Sequence, residues 1–224
     1  SMAERGISRR EFLVTGAIGV ATLGLSGDPV PASAGRASAG SQEIVYRTLG
    51  RTGLKIPVVS FGVMNSDSPD LIRKAVDLGI KHFDTAHRYL RGNSETVIGR
   101  ILEERKCRDR VYVATKMYFD RDKERKVFYG EESPRPYAAT EKNFEEQLGL
   151  SLKRLRTDYV DILYLHSCES ASMAGYEPMM KTFVKAREAG KARFIGITTH
   201  TREPETIRAA ADAGVWDVVL TSYN

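Results

Sequence analysis

The sequence predicts an α/β fold in which a parallel sheet is covered by helices. Two observations carry this expectation. Six short apolar runs alternate with five segments whose apolar residues recur at helical spacing. Polar, chemically capable residues then collect where the runs end and loops begin, at Asp84, Lys116 and His166.

In order along the chain, a polar hairpin signal at Tyr46-Arg-Thr-Leu-Gly50-Arg-Thr-Gly53 precedes a first strong strand, Val58 to Gly62. A helix opens at Ser68-Pro69, with Leu71, Ile72, Ala75 and Val76 as its apolar stripe and Gly79 as its stop. Strand two is Ile80 to Thr85, and a helix from Ser94 or Glu95 turns Val97, Ile98, Ile101 and Leu102 inward. Strand three is Val111 to Lys116. Its connection, Met117 to Ala139, is long and crowded with charge and aromatic residues, as a site wall or lid would be. Helix three carries Phe144, Leu148, Leu152 and Leu155 at helical spacing, and strand four is Val160 to His166. Helix four (Glu177 to Ala189), strand five (Arg193 to Thr198), helix five (Pro204 to Ala213) and strand six (Asp217 to Tyr223) complete the pattern.

Composition supports a globular domain and excludes several classes. Lys and Arg total 34 against 29 Asp and Glu, a net charge of +5, with 42% hydrophobic residues, so neither a disordered tail nor a rod is expected. Two cysteines, Cys107 and Cys168, cannot staple a small disulfide scaffold. Basic and acidic residues are interspersed without a one-signed block, so nucleic acid is not an expected partner.

The N-terminus reads as a leader. Arg9-Arg10-Glu11-Phe12-Leu13 opens an uncharged run to Leu25, followed by Asp28, Pro29, Pro31 and Ala32-Ser33-Ala34, the three parts of a signal peptide. The run is too short and too rich in glycine for a stable membrane span. Paired arginines before Phe-Leu resemble the twin-arginine export signal, which implies the twin-arginine translocation machinery as a partner and a periplasmic or other extracytoplasmic destination. An amphipathic helix is the competing reading, disfavoured by Gly16, Gly19 and Gly24. Residues 1–34 are therefore assigned to the leader, 35–43 to a flexible linker and 44–224 to the folded domain.

Strand ends two, three and four bring a carboxylate (Asp84), an ammonium (Lys116) and an imidazole (His166) to one rim, with the phenol of Tyr89 in the adjoining loop. A tyrosine near pKa 10 is a poor acid at neutral pH, and an adjacent ammonium is expected to lower that value. Asp84 would hold Lys116 charged, and His166 would orient a carbonyl oxygen or relay a proton. Such a set protonates an oxygen as electron density arrives on it, the help that hydride transfer to a ketone or aldehyde needs. Each residue alone has an ordinary reading as a cap, a solvated charge or core packing. No Gly-x-Gly-x-x-Gly follows the first strand and no P-loop occurs, which disfavours an open dinucleotide fold against a (β/α)8 barrel.

Over residues Ile44 to Asn224 the sequence resembles the aldo-keto reductase family. The matching stretches are Tyr46 to Leu54, Phe83-Asp-Thr-Ala86 with Tyr89 and Gly92-Asn-Ser-Glu95, Val113-Ala-Thr-Lys116, Ser151 to His166, and Gly190-Lys-Ala-Arg-Phe-Ile-Gly196. The resemblance implies a (β/α)8 TIM barrel, a catalytic tetrad of Asp84, Tyr89, Lys116 and His166 with tyrosine as general acid, a small carbonyl substrate, and NADPH, or NADH, as cofactor. It places cofactor contacts at Asp84, Thr198, Thr199 and Tyr223, the last an aromatic for ring stacking. Thr198-Thr199-His200 replaces the Ser-Asn common in relatives, and Leu220 stands where Gln is frequent, which alters the expected grip on the carboxamide. The Tyr89-Leu-Arg-Gly92 loop is longer than the common form. The layout is similar to a bacterial branch that often carries an iron-sulfur cysteine cluster; no such cluster lies within these residues, so one is expected only in a C-terminal extension. Six strands are two short of a closed barrel, so the natural protein is expected to continue past Asn224.

Other candidates are weaker. Cys107, beside a charged helix end, is expected to be exposed. Cys168 stands near His166 as an imaginable nucleophile pair, and His82 and His87 flank Asp84 without an evident fourth metal ligand. Tyr118, Phe119, Tyr129 and Tyr137 either line a substrate pocket or cover strand ends.

Overall fold

The computed structural model describes residues 44–222; the expected leader and linker, and Tyr223, lie outside the described residues. The expected hairpin forms: β1 (Tyr46–Thr48) and β2 (Lys55–Pro57) pair antiparallel around a turn that Gly53 closes with a left-handed φ of 69°. Beyond it, β3 (Phe61–Gly62), β4 (His82–Asp84), β5 (Tyr112–Met117), β8 (Val160–Leu165), β9 (Ala192–Thr199) and β10 (Val218–Thr221) form a six-stranded parallel sheet whose spatial order follows chain order. Helices α1 (Pro69–Asp77), α2 (Asn93–Glu104), α3 (Glu141–Leu155), α5 (Glu177–Glu188) and α6 (Glu203–Ala213) make the crossovers. A small hairpin of β6 (Arg121–Asp122) and β7 (Val127–Phe128) and a single turn, α4 (Ala171–Ala174), were not legible as elements in the sequence.

Strand alternation divides the sheet into two apolar faces. Val113 and Met117 of β5, Leu163 and Leu165 of β8, and Ile195 and Ile197 of β9 join the large core under the helices, with Ile98 and Ile101 of α2 and Phe144 and Leu148 of α3. Their neighbours Ala114, Ile162, Tyr164 and Phe194 face the other way and cluster with Val218 of β10 and with Leu54, Leu49 and Ile56 of the hairpin. Two strands separate β5 from β10, so contact within one cluster means that the sheet curls around a lumen, with the hairpin as its floor. This is the curled parallel sheet of a (β/α)8 barrel, represented by six strands among the described residues.

Three expectations are corrected. The first sheet strand is only Phe61–Gly62, because Val58 and Val59 trail from the hairpin and stay exposed. Leu71 is exposed, since the helical period turns Ile72 and Ala75 inward and leaves Leu71 off the buried stripe. Cys107 is buried: the chain reverses through Lys106 (φ 47°) and folds the thiol back to the Leu102 carbonyl, where burial raises its pKa. Ser68 precedes Pro69 in extended conformation but makes no side-chain cap, whereas Thr140 caps α3 through the Asn143 N–H at 3.1 Å. No helix of the described residues is long and apolar enough to cross a membrane.

Helices α2 and α3 touch at Gly99, where a Cβ would run into the carbonyl of Arg154 and the backbone of Leu155. Gly99→Ala is expected to destabilise the domain by about 1–3 kcal/mol, the usual cost of overpacking, read as a lower urea midpoint at unchanged slope.

Candidate active site

The site begins with Lys116, a lumen-side lysine only 2% exposed. Its ammonium donates to Asp84 Oδ1 at 2.5 Å, to the Thr85 carbonyl at 2.7 Å and to the Tyr89 hydroxyl at 3.4 Å. The β4–β5 register, with Asp84 opposite Ala114, sets the carboxylate within reach. Burial lowers the pKa of Lys116, and Asp84 acts against that by charge and hydrogen bond. His166 follows β8 directly, its backbone N–H on the Met117 carbonyl at 2.9 Å. Its ring meets Tyr89 edge to face at 5.6 Å, so all four rim residues are brought together.

The protonation states differ from the expected ones at one point. Tyr89 is pushed up to about 12, first by burial and then by the charge of Asp84, rather than lowered by Lys116. The ammonium is 3.4 Å from the phenol but 2.5 Å from the carboxylate, which neutralises most of its field there. His166 is held down to about 3 by burial, then by Lys116, Arg121, His200 and Arg88. At neutral pH the site therefore holds a neutral phenol, a neutral imidazole with a buried, unpartnered Nδ1, and one ion pair.

The Tyr89 turn is built from conformations that side chains rarely adopt. Leu90, Arg91 and Gly92 all have positive φ, at 49°, 56° and 89°. A network on the helix side of the sheet holds it. Glu95, fully buried, accepts from Thr115 Oγ1 at 2.6 Å and from Arg154 at 3.2 Å. Arg154 also donates to the His87 carbonyl at 3.1 Å, the His87 ring meets Ser151 Oγ at 3.1 Å, and the His87 N–H reaches the Lys116 carbonyl. Gly92 is required because a Cβ there would collide with the Arg154 guanidinium. Sequence reasoning missed Glu95, Thr115 and Arg154 as supports; their one signal was that Thr115 precedes Lys116 and so had to face the helices.

The long connection divides between the two roles it was offered. Tyr118 and Tyr137 stand against the site, Tyr118 edge-on to His166 at 6.3 Å, while Phe119 is buried against Phe128 under the helices. Tyr129 lies beneath the Arg135 guanidinium at 4.2 Å. Cys168 is buried, its thiol pushed up to about 12, and does not pair with His166. Among the described residues no three His, Cys, Asp or Glu side chains are grouped to hold a metal.

The cofactor candidates are placed differently from one another. Asp84 keeps 22% of its side chain exposed at the rim. Thr198 faces the lumen, and its oxygen accepts the Ser167 N–H at 2.8 Å. Thr199 is buried with its hydroxyl donating to the Thr201 carbonyl at 3.0 Å, so the structure does not bring it to the tetrad. Leu220, opposite Thr198 in register, leaves an exposed apolar surface beside the rim. The open side of the rim offers a planar ring the apolar Leu220 surface and the exposed edge of Asp84, whereas the Thr198 hydroxyl, with no acceptor among the described residues, is buried as Thr199 is.

Fold and site together define an α/β barrel chain with a buried Lys–Asp pair, a tyrosine and a histidine at the C-terminal rim of its strands. The chain belongs to the aldo-keto reductases: the Aldo/keto reductase family profile matches residues 60–224. It is similar to L-glyceraldehyde 3-phosphate reductase of Escherichia coli K12, at 32% identity over 72% of this chain and 47% of that protein. It is also similar to L-galactose dehydrogenase of Arabidopsis thaliana, at 36% identity over 70% of this chain and 49% of that protein. A putative voltage-gated potassium channel subunit beta of Schizosaccharomyces pombe matches at 32% identity over 69% and 45%. The chain thus spans about half the length of these relatives. Solved structures share the fold, among them an aldo-keto reductase of Bacillus halodurans in its holo form (TM-score 0.64, 23% identity, 81% of this chain and 58% of that one). Another is an aldo-keto reductase of Klebsiella pneumoniae in complex with NADPH (TM-score 0.60, 22% identity, 81% and 59%).

The histidines predict a pH dependence of stability. His87, held down to about 4 by burial and then Arg154, and His166, at about 3, titrate near 6.5 once unfolded. Their neutral-state contribution is therefore full above pH 6.5 and lost as pH falls towards 4 and 3. Between pH 6.5 and 5 stability is expected to drop by about 1 kcal/mol per pH unit for each histidine, measured by urea unfolding, and His166→Gln should flatten that slope.

Proposed function

We propose that the protein is an NAD(P)H-dependent carbonyl reductase acting on a small aldehyde or ketone, with Tyr89 as general acid. The observation that supports this most directly is the Tyr89 hydroxyl at 3.4 Å from the Lys116 ammonium, with Lys116 anchored on Asp84 and neutral His166 packed against the same phenol. The nicotinamide cofactor, NADPH being the form in the Klebsiella structure, supplies the hydride when bound. Asp84, Thr198 and Tyr223 are the residues proposed to hold it, and Thr199 would join them only if its hydroxyl left the Thr201 carbonyl. His166 orients the carbonyl oxygen, Tyr89 transfers its phenolic proton to that oxygen, and Lys116 stabilises the phenolate that remains until a solvent proton replaces the one given.

Thr199 and Leu220 support a second reading, in which the chain binds the cofactor but turns over weakly, as an accessory or redox-sensing subunit. Tyr89→Phe separates the two. Under the reductase reading it is expected to cut carbonyl reduction by about 10²–10⁴-fold while NADPH binding, followed by nucleotide fluorescence, is retained. Equal turnover in both forms would remove Tyr89 from the acid role.

Export through the twin-arginine route is proposed on residues 1–34 alone. Fused to a reporter that needs an extracytoplasmic location, these residues are expected to export it, and replacing Arg9 and Arg10 by Lys together should trap the reporter inside.

A further inference from the structure

Beside the tetrad, one guanidinium is held in place without an ion partner. Arg88 precedes Tyr89 and is exposed, yet its guanidinium lies over the Tyr118 ring at 4.3 Å and near the Tyr137 ring at 5.0 Å. Among the described residues it makes no salt bridge and no side-chain hydrogen bond. Tyr118 also has the Arg121 guanidinium at 5.3 Å from its ring centre, so two guanidiniums meet this ring. Arg121 shares a single carboxylate, Glu169, with Lys126, at 2.7 and 2.6 Å, which leaves that trio one positive charge in excess. The Tyr118 ring thus touches both the Arg88 guanidinium, at 4.3 Å, and the His166 ring, at 6.3 Å.

These features answer the requirements of an oxyanion subsite. A guanidinium laid on aromatic faces keeps its N–H edges free and has already lost most of its side-chain freedom, so less is lost when a carboxylate or phosphate binds. The one positive charge in excess on the Arg121, Lys126 and Glu169 trio draws an anion to the same wall. We propose that Arg88, seated on Tyr118 and Tyr137, binds an anionic substituent of the substrate, so that the preferred substrate is a small aldehyde or ketone bearing a carboxylate or phosphate about one ring's breadth from its carbonyl. This assignment rests on the carbonyl-reductase reading for the carbonyl and on the Arg88 wall alone for the anion.

The test compares matched pairs on the purified chain with NADPH: 4-carboxybenzaldehyde against benzaldehyde, and glyceraldehyde 3-phosphate against glyceraldehyde. Arg88→Gln is expected to lower the charged-to-neutral ratio of kcat/KM about tenfold, chiefly through KM, and Arg88→Lys to restore part of it. The pair with the larger fall tells carboxylate from phosphate. An unchanged ratio in both pairs overturns the subsite. Equilibrium titration with benzoate and with inorganic phosphate reads the same site without turnover. If the wild type reduces none of the four aldehydes, the reductase reading fails, and Arg88-dependent binding of either anion still supports the subsite. No binding, or binding that Arg88→Gln leaves unaltered, overturns it.

Discussion

Burying the ammonium of Lys116 is the constraint on which the rest of the structure turns. A lysine charge removed from water costs several kcal/mol unless acceptors replace its hydration. Here the acceptors are Asp84, the Thr85 carbonyl and Tyr89, consecutive features of one strand end and the turn that follows it. The charge can therefore be buried only if β4 and β5 pair in the observed register and the turn after β4 folds back over the strand end. A slip of one residue would carry Lys116 to the helix side, into the apolar core that Val113 and Met117 fill in the observed register, with no acceptor for its charge.

The same strand is tethered on both faces. Thr115 donates to Glu95 under the helices, and its neighbour Lys116 donates to Asp84 in the lumen. Two carboxylate contacts on opposite sides of the sheet thus locate consecutive residues of β5, and through Arg154 the first of them also supports the His87 carbonyl. Three successive left-handed residues after Tyr89 are costly in isolation, so the turn persists because helices α2 and α3 hold it from behind. The close approach of those helices at Gly99 belongs to the same arrangement: a wider gap would draw Arg154 away from Glu95 and His87.

The sheet, its chain order and the rim residues Asp84, Lys116 and His166 were legible because each rests on a local pattern: an apolar run, its length and the polar residue that ends it. The Val58-Val59 run looked like a strand on the same grounds, but strand pairing is a long-range property and the hairpin floor takes the chain elsewhere. Burial of Cys107 depends on a reversal at Lys106, a non-glycine residue at positive φ that no turn chemistry announces. Glu95 and Arg154 stood in plain sight in the sequence, 59 residues apart, and only the packing of α2 on α3 shows that they meet. The protonation of Tyr89 was misjudged for a related reason. Pairing a phenol with an ammonium ignores the carboxylate that reaches the ammonium first.

That carboxylate also bears on the acid role proposed for Tyr89, because it sets the resting charge of the site. At rest the lumen-side charges cancel, since Lys116 and Asp84 form one pair while Tyr89 and His166 are neutral. No ground-state interaction is then spent on stabilising phenolate. Under the proposed reductase reading, a phenolic proton passed to an oxygen gaining electron density would leave a negative charge 3.4 Å from the ammonium, with Lys116 between two anions. A tyrosine near 12 beside a histidine near 3 is thus the pairing of states that leaves stabilisation to the transfer step.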